Sequence, residues 1–452
     1  PGIYLNGTTY DIVETTGGTV SGSFGSVLLP ASKPLLSFAL NQSSNVVELE
    51  VTAPKVTTVA TNPVEYAMAE YLDRIMPTAS GDLAAVLGEF QGLESSQLGA
   101  AIAGMNSGSY TSLSKVSMAG IGLFLGDLKQ RMGKLRVNMM TADSGSGTKP
   151  ILLAYSGSAA ELGRIVTIEQ STRGQTMNGL WINSYGQWGD HQALPGYAGY
   201  DYTLYGSAIG YDYTFPGNLL LGASLGMSRA EVDFGSSQGD GSVNSVTGAL
   251  YGSYYAGNAY IEGTFSYGKQ RYHNSRFISV GTILREASGK HDADAFTTYL
   301  GAGYNFTANW LTISPFASLR HIHLAEEGFT ETGADSLNLA VESRKTDSLV
   351  SELGLRLARS FAIGNASVIP ELSAALNYDF DIDDQVVTAS FAGAPGNTFS
   401  IRGEEVEKYG AAVAAGLTFI HRSGVSAVLK YLGEFRERNS SHGLMGEFRY
   451  LF

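Results

Sequence analysis

The sequence predicts a mainly β protein whose C-terminal part is an antiparallel β-barrel that spans a membrane. About twelve segments of roughly ten to twenty residues, with alternating apolar and polar side chains, follow one another from Gly179 to the end of the chain. Their connections alternate between tight turns (215–218, 256–258 and 308–310) and long ones (234–241, 274–289, 326–342 and 392–404). This alternation is typical of membrane barrels, which must close because lipid cannot satisfy an open sheet edge.

The composition favours strands and turns. Charged residues make up 16% of the chain, against about 25% in typical soluble domains, and there are 56 glycines and 25 tyrosines. A net charge of −13 without a dense basic patch argues against a nucleic-acid partner. The absence of cysteine excludes disulfides, thiolate metal sites and a cysteine nucleophile, and it suits export through an oxidising compartment.

No sequence feature predicts a membrane-spanning helix. The longest near-apolar run, 116–126, is about half as long as the roughly 20 residues that such a helix needs. The start PGIYLNG lacks the basic and apolar regions of a signal peptide, so we expect any signal peptide to lie outside this chain.

Residues 1–55 contain short strand patterns separated by glycine turns. The segments are GIYLNGTTYDIVE, GTVSGSFGSVLLP and PLLSFALNQSSNVVELEVTAP. They lack the apolar mass for a core of their own. We therefore expect the last rungs of a repetitive β-structure that extends upstream.

From Asn62 the apolar period changes to that of amphipathic helices. It predicts short helices over 62–76, 80–93 and 95–105, and a long helix over 112–136. At about 1.5 Å per residue the long helix reaches about 37 Å, comparable to the roughly 30 Å of a bilayer core, so it can cross a membrane inside a pore. A second candidate for a pore helix lies at 158–173.

The long helix has a basic C-terminal end, where the helix dipole favours cations. This cluster contains Lys129, Arg131, Lys134 and Arg136. In the strand segments, the charged residues opposite the apolar rows are Glu262, Arg320, Glu352, Arg356, Glu371, Lys430, Glu434, Glu447 and Arg449. Because a charge facing lipid at mid-depth costs about 2–4 kcal/mol, we expect these residues to face the lumen. Either their carboxylates pair with the helix cations and hold the helix as a plug, or they line a merely hydrated wall.

The last segment, GLMGEFRYLF (443–452), ends on aromatic residues although chain termini are usually polar. With period two, Leu444, Gly446, Phe448, Tyr450 and Phe452 share one face, while Glu447 and Arg449 share the other. A soluble sandwich would bury the aromatic face against a second sheet, whereas a membrane barrel would place it in lipid. The alternating connection lengths favour lipid.

This order of segments resembles the C-terminal part of the monomeric autotransporters, the type V secretion proteins of Gram-negative bacteria. The motifs that carry the resemblance are GTTYDIV, GSFGSV, PLLSFAL and VVELEV in 1–55, NPVEYAMAEYLDRI through FLGDLKQRMGKLR in the helical part, GLWINSYGQWGD at 179–190 and GEFRYLF at the end. The resemblance implies a passenger β-helix cap of the autochaperone type at 1–55, a helical connector at 56–178 and an outer-membrane barrel at 179–452. It also implies twelve strands with an α-helix in the lumen, formed by 112–136 or by 158–173.

The family implies partners as well. Gly446, Phe448, Tyr450 and Phe452 match the terminal-strand signal that the barrel-assembly machinery recognises. Periplasmic chaperones would act during biogenesis, outer-membrane lipid would surround the barrel, and the chain's own passenger would lie upstream. Residues 1–55 would then be at the cell surface, and no cofactor is implied.

Candidate catalytic and metal residues are few. The motif ADSGSG (142–147) lacks a base, since the first histidine is His191, and GDLAAVL (81–87) has Leu83 where a lipase passenger would carry its serine. The pair His321 and His323, with Glu326 and Glu327 beyond, is a weak metal candidate. No Asn-Asn dipeptide for self-cleavage exists, and Asn138 and Asn178 are isolated.

We therefore predict a non-enzymatic translocator and anchor that inserts in the bacterial outer membrane and carries its N-terminal passenger to the surface. One alternative is an outer-membrane porin-like protein or barrel enzyme with an N-terminal extension. Another is a soluble β-solenoid adhesin with a sandwich domain. Fold alone does not identify the activity of the passenger.

Overall fold

The computed structural model describes residues 2–22, 24, 26–143, 178–235, 238–308, 311–380, 385–405, 407–421, 423 and 425–451. The candidate pore helix at 158–173, residues 144–147 of the ADSGSG motif and Phe452 lie outside these residues. Among the described helices, none combines the length and the apolar character needed to cross a membrane.

The N-terminal strands form a small antiparallel sheet. They are β1 (Thr9–Glu14), β2 (Ser37–Gln42) and β3 (Val46–Thr52), in the order β1-β3-β2. Strands β2 and β3 form a hairpin, and β1 pairs with the other edge of β3. The assignment of these residues to the end of a longer passenger β-helix stays a prediction. The short connection between β2 and β3 favours their antiparallel pairing, because parallel pairing needs a long crossover.

Three short helices follow close to the predicted positions: α1 (Pro63–Ile75), α2 (Gly81–Gln91) and α3 (Ser95–Met105). In α1 the Asn62 side chain accepts a hydrogen bond from the Glu65 amide, and Pro63 occupies the first helical position. In α3 Glu94 and Gln97 form a reciprocal capping box.

The long helix α4 (Gly108–Asp143) contains 36 residues and extends the helix predicted at 112–136 at both ends. It lies inside the barrel and contacts β5, β6, β7 and β8.

The remaining strands, in chain order, are β4 (Asn178–His191), β5 (Tyr200–Phe215), β6 (Leu219–Phe234), β7 (Gly239–Ala256), β8 (Ala259–Val280), β9 (Ile283–Tyr304), β10 (Phe306–Ala308), β11 (Leu311–Glu326), β12 (Phe329–Thr330), β13 (Leu339–Val341), β14 (Arg344–Ala358), β15 (Phe361–Ile363), β16 (Ala366–Asp379), β17 (Val386–Phe391), β18 (Phe399–Arg402), β19 (Tyr409–His421), β20 (Val425–Phe435) and β21 (Asn439–Leu451). Twelve of them, namely β4 to β9, β11, β14, β16 and β19 to β21, form a closed antiparallel barrel. Pairing of β21 with β4 closes the barrel between the two ends of the strand series. The predicted fold class, a twelve-stranded barrel with a helix inside, is confirmed.

The outer surface of the barrel is apolar. Leu353, Leu372 and Leu429 are 67%, 59% and 63% exposed, and no facing layer of protein covers them in the described part of the chain. Along the strands that carry these leucines, the residues between the exposed ones point into the lumen. This alternation places hydrocarbon-facing and lumen-facing side chains as a membrane barrel requires, and it disfavours a soluble sandwich.

The two ends of the barrel differ. One end carries tight turns such as 216–218 and 257–258, and we call it the inner end. The other, the outer end, carries the longest connections and a separate four-stranded sheet, β12-β13-β17-β18. The sheet comes from two connections, β11 to β14 and β16 to β19. Helix α1 packs against β18, and α2 and α3 share one buried core with the sheet.

Several predicted connections are wrong. β6 and β7 are separated only by 235–238, and β8 and β9 continue through 274–289 to a tight turn at Gly281. The segment 366–391 is not one strand but two, β16 in the barrel and β17 in the outer sheet. For β8 and β9, the physical reason is that backbone pairing continues beyond the apolar band, where polar and apolar side chains mix on the outer face and the regular alternation disappears.

Candidate functional site: the lumen and its helix

The helix α4 packs against one wall of the lumen. Its apolar residues Phe124, Leu128 and Met132 are buried with Leu204 of β5 and other side chains of that wall. The Phe124 ring lies over Gly226 of β6, where an added Cβ would come within 2.6 Å of the ring. Glycine at this position therefore permits the close approach of helix and strand.

The basic residue Arg131 is bound at the centre of a buried ion cluster. Its Nε and Nη2 donate to the two carboxylate oxygens of Asp212 on β5, at 2.7 and 3.0 Å, and its Nη1 lies 3.3 Å from Glu447 Oε1 on β21. Arg449 Nη2 lies 3.7 Å from Asp212 Oδ1, and the Tyr251 hydroxyl donates to Asp212 Oδ2 at 3.1 Å. The side chains of Arg131 and Asp212 are 1% and 0% exposed, so α4 is joined to two strands by charges removed from water.

A second ion pair connects α4 with the opposite wall. Lys129 Nζ donates to Glu352 Oε2 at 2.7 Å and lies 5.1 Å from the centre of the Tyr299 ring. Asp127, one turn before Arg131 on α4, accepts a hydrogen bond from the Asn183 side-chain amide of β4. The helix is therefore held from several strands at once.

Other predicted lumen charges pair within the barrel wall. Glu371 lies 3.5 Å from Arg356 Nε and 3.2 Å from Lys430 Nζ, and Glu262 accepts from the Tyr299 hydroxyl at 2.8 Å. The pairing of Glu371 and Glu262 with the basic end of α4 stays a prediction. The backbone of Lys134 and Arg136 lies in α4, but their side chains lie outside the described residues.

A cavity of about 340 Å³, lined by both charged and apolar side chains, lies beside α4 on the side that the helix does not fill. Its lining includes Arg320, Glu352, Arg356, Lys430 and Glu434. The lumen therefore combines a tightly packed apolar side with a more open side that carries charged residues.

At the outer end, α4 meets a buried cluster around Glu326. Arg344 donates to both Glu326 oxygens at 2.8 Å and to the Tyr110 carbonyl at 2.8 Å, and Ser114 Oγ lies 3.0 Å from Glu326 Oε2. His291 Nε2 lies 3.2 Å from Glu326 Oε1. This cluster fixes the first turns of α4 at the outer mouth of the lumen.

A second cluster at the outer mouth surrounds Glu404, in the connection between β18 and β19. It contacts His191, Lys115 of α4 at 3.5 Å and Arg438 at 2.8 Å. Burial raises the pKa of Glu404, but the hydrogen bond with His191 and the charges of Lys115, His191 and Arg438 outweigh it and lower the pKa to about 2. The carboxyl is therefore charged at neutral pH.

The terminal strand β21 presents the two faces described in its sequence. Phe448 and Tyr450 are 53% and 52% exposed on the outside, while Glu447 and Arg449 are 5% and 3% exposed in the lumen. Gly446 pairs with Leu429 of β20 and with Ser184 of β4, at the closure of the barrel.

The weak catalytic and metal candidates do not form a site. His321 and His323 both lie 2.9 Å from Asp347 Oδ1, whereas Glu326 points into the buried cluster on the other side of the strand. In the described residues, no group of three or more His, Asp or Glu side chains is arranged to hold a metal ion. Leu83 is buried in the core formed by the short helices.

Sequence reasoning missed Asp212, Asn183 and Glu404, which contact α4, and it considered Glu326 only as part of a metal candidate. Asp212 could have been found from the alternation along β5. It lies at an even-numbered position, as the buried Tyr200, Tyr202 and Leu204 do, and therefore on the same face of the strand. Glu404 lies in a connection with no periodic pattern, so its place became visible only in the folded chain.

Comparison with known proteins identifies the family. Residues 180–431 match the family model "Autotransporter beta-domain". The chain is 27% identical over 179 residues to an extracellular serine protease of Serratia marcescens, covering 40% of this chain and 17% of that protein. It is 26% identical over 237 residues to outer membrane protein A of Rickettsia rickettsii, covering 49% of this chain and 10% of that protein. The chain thus spans less than a fifth of these relatives.

Among solved structures, the translocator domain of autotransporter NalP from Neisseria meningitidis is similar. It is 18% identical, with a TM-score of 0.49, and the match covers 65% of this chain and 95% of that chain. Since the family model matches more than half of the chain, the chain belongs to the autotransporter family, and its barrel is a translocator of the bacterial outer membrane with its passenger at the cell surface.

Proposed function

We propose that this chain is a non-enzymatic module that delivers an upstream passenger to the cell surface and then retains it through a closed, helix-filled lumen. In this proposal residues 1–55 end the passenger, 56–178 connect it and 179–452 form the translocator. The passenger stays attached through α4.

One observation carries the proposal: the buried contact between Arg131 of α4 and Asp212 of β5. Two charges removed from water are stable only when they remain paired, so withdrawing the helix would leave Asp212 without its closest cation. Lys129 with Glu352 adds a second, partly hydrated attachment. The helix therefore acts as both tether and plug.

The absence of enzymatic activity is part of the proposal. It is supported by the contacts in the middle of the lumen, where Asp212 and Glu447 bind Arg131 and Glu352 binds Lys129. The porin-like alternative is less well supported, because α4 occupies the space through which solutes would pass.

The proposed partners follow from the surface of the barrel. Its apolar outer face would contact outer-membrane lipid. Gly446, Phe448, Tyr450 and Phe452 of the terminal strand would be read by the barrel-assembly machinery, with periplasmic chaperones keeping the chain unfolded beforehand. No feature of this surface supports a nucleic-acid partner.

Surface labelling of intact cells tests the proposal. An epitope is inserted at the exposed bend of Gly17 and Gly18, and a second protein carries the same epitope in the inner turn at 216–218. We expect antibody to label the first epitope on intact cells and the second only after permeabilisation. Heat-modifiable migration on a detergent gel checks that both barrels are folded.

Two results would contradict the proposal. Labelling at 216–218 on intact cells would invert the orientation. Release of the first epitope into the medium, with the barrel left in the membrane, would show that the passenger is cut from α4.

A further inference from the structure

The short helices and the outer connections of the barrel form one hydrophobic core, which we call the outer cap. Tyr71 and Leu72 of α1 and Phe90 of α2 are buried in the same cluster as Leu339, Val387 and Phe391 of the outer sheet. Each of the six is fully buried. The helices precede the lumen helix in the chain, whereas the sheet belongs to the barrel.

The sheet β12-β13-β17-β18 has one apolar face, and the helices cover it. Burial alternates along β17, where Val387, Ala389 and Phe391 are buried and their neighbours are partly exposed. Without the helices this face would be an exposed apolar patch next to the open mouth of the barrel. The Tyr71 hydroxyl also accepts a hydrogen bond from the Phe391 amide at 2.8 Å, which joins α1 to the edge of β17.

Each of the other two helices is joined to the barrel by a buried or partly buried arginine. Arg276 Nη1 of β8 donates to the Gly104 carbonyl at the C-terminus of α3, at 2.6 Å, where helix carbonyls lack intrahelical partners. Arg285 of β9 donates to both carboxylate oxygens of Asp82 in the first turn of α2, at 2.7 and 2.6 Å. Hydrogen bonds from Arg285 hold the pKa of the Asp82 carboxyl below its ordinary range, so this pair stays charged at neutral pH.

Close packing accompanies these polar bonds. At Gly104 an added Cβ would lie 2.9 Å from the Phe277 carbonyl oxygen and 3.4 Å from Ile278 Cα, both on the β8 backbone. Helix α3 therefore touches the strand itself and not merely its side chains. Gly99, in the same helix, would bring its Cβ only to 3.4 Å from a flexible Glu65 carboxylate oxygen.

The path of the chain sets the order of events. The helix α4 begins at the outer mouth, where Tyr110 contacts the rim, and β4 begins at the inner end next to the terminal strand. If the chain is exported through its own barrel, α1 to α3 reach the outer sheet only after they have passed the lumen. This step rests on the proposed function.

We propose that the outer sheet, with the outer ends of β8 and β9, is a docking site for α1 to α3, and that their docking after outward passage closes the mouth and makes export irreversible. Before export, the partner of this site is absent and the mouth is open. Afterwards, return of the chain requires the shared core and both arginine contacts to break first. The capture device is therefore built into the barrel rather than into the passenger.

The test compares two glycine substitutions in the same helix of the full chain, with the epitope at Gly17 and Gly18. Gly104→Ala pushes α3 off the β8 backbone, whereas the control Gly99→Ala changes helix propensity equally and meets no backbone. A second variant, Asp82→Asn, weakens the bond of α2 to Arg285 without changing a barrel residue. The rate at which the epitope becomes accessible on intact cells is measured by pulse-chase labelling, and heat-modifiable migration reports barrel folding.

We expect Gly104→Ala to slow surface appearance roughly tenfold or more, the factor that overpacking a close contact produces, and Asp82→Asn to slow it less. External trypsin should cut after Arg74 in Gly104→Ala and spare the Gly99→Ala control. Surface appearance at the unsubstituted rate in both Gly104→Ala and Asp82→Asn would overturn the inference, whether or not trypsin cuts. If the epitope never reaches the surface even in the unsubstituted chain, the proposed function fails and this inference fails with it.

Discussion

Removing one partner of the buried Arg131 and Asp212 pair should loosen the lumen helix. The cluster is neutral as built, with the cations Arg131 and Arg449 balanced by Asp212 and Glu447. The substitution Asp212→Asn keeps the side-chain shape but leaves two cations beside one carboxylate, in a site that water does not reach. Breaking a buried pair in this way typically costs about 3–5 kcal/mol.

That cost corresponds to a roughly hundred- to several-thousand-fold change in the ratio of unseated to seated helix. Single-channel recording in planar bilayers measures it as the frequency and lifetime of large-conductance openings. The matched control is Asp201→Asn, on the same strand β5 but exposed on the outside of the barrel.

The charge balance gives a second, independent check. The double substitution of Arg131→Met with Asp212→Asn restores neutrality, because Glu447 and Arg449 remain. It should therefore open less often than Asp212→Asn alone. Equal opening frequencies in Asp212→Asn and Asp201→Asn would refute the account of the helix as a plug held by charge. The same holds if the increase in opening frequency of the double variant equals the product of the increases in Arg131→Met and Asp212→Asn.

Three further predictions concern the rim, the lipid face and the packing of the wall. Because the pKa of Glu404 is lowered from its ordinary value of 4.5 to about 2, its contribution to stability is complete above pH 4.5 and is lost as the pH falls through about 2. The melting temperature should therefore fall as the pH is lowered from 4.5 to about 2, and it should fall less in Glu404→Gln; an equal fall in both would contradict this role of Glu404. Leu353→Arg, on the lipid face, should lower the free energy of unfolding by about 2–4 kcal/mol, measured by urea titration in lipid vesicles, and an unchanged titration midpoint would contradict a lipid-facing position. Gly210→Val should displace the Trp181 ring, which an added Cβ would approach to 2.4 Å, and shift the tryptophan fluorescence spectrum of the folded barrel; an unchanged spectrum would show that the ring lies elsewhere.

The apolar periodicity of the sequence predicted the face of the sheet on which many side chains lie, but not of all. The alternation along 425–436 was enough to place Leu429 on the lipid face and Lys430 in the lumen, because a strand turns its side chains to opposite faces. The same rule failed at 274–289, where the outward residues mix the apolar Phe277 and Leu284 with polar ones such as Ser279, so the pattern ends before the strand does.

Partners across the lumen were beyond sequence reasoning. The basic end of α4 was visible in the sequence, but whether Arg131 meets Asp212 or Glu371 depends on the register of twelve strands and on the rotation of the helix. Asp212 and Arg131 are 81 residues apart in the chain, and only closure of the barrel brings them together.

The sequence by itself determined that strands alternate between lipid and lumen, that a long helix precedes them, and that the chain ends on an aromatic face. These are local periodicities, set by neighbouring residues and by the solvent each face must meet. Only the tertiary structure decided that α4 leans on one wall, that its charges are held by particular strands, and that the short helices share a core with the outer connections. Those features depend on contacts between residues far apart in the chain, whose geometry exists only after the sheet has closed.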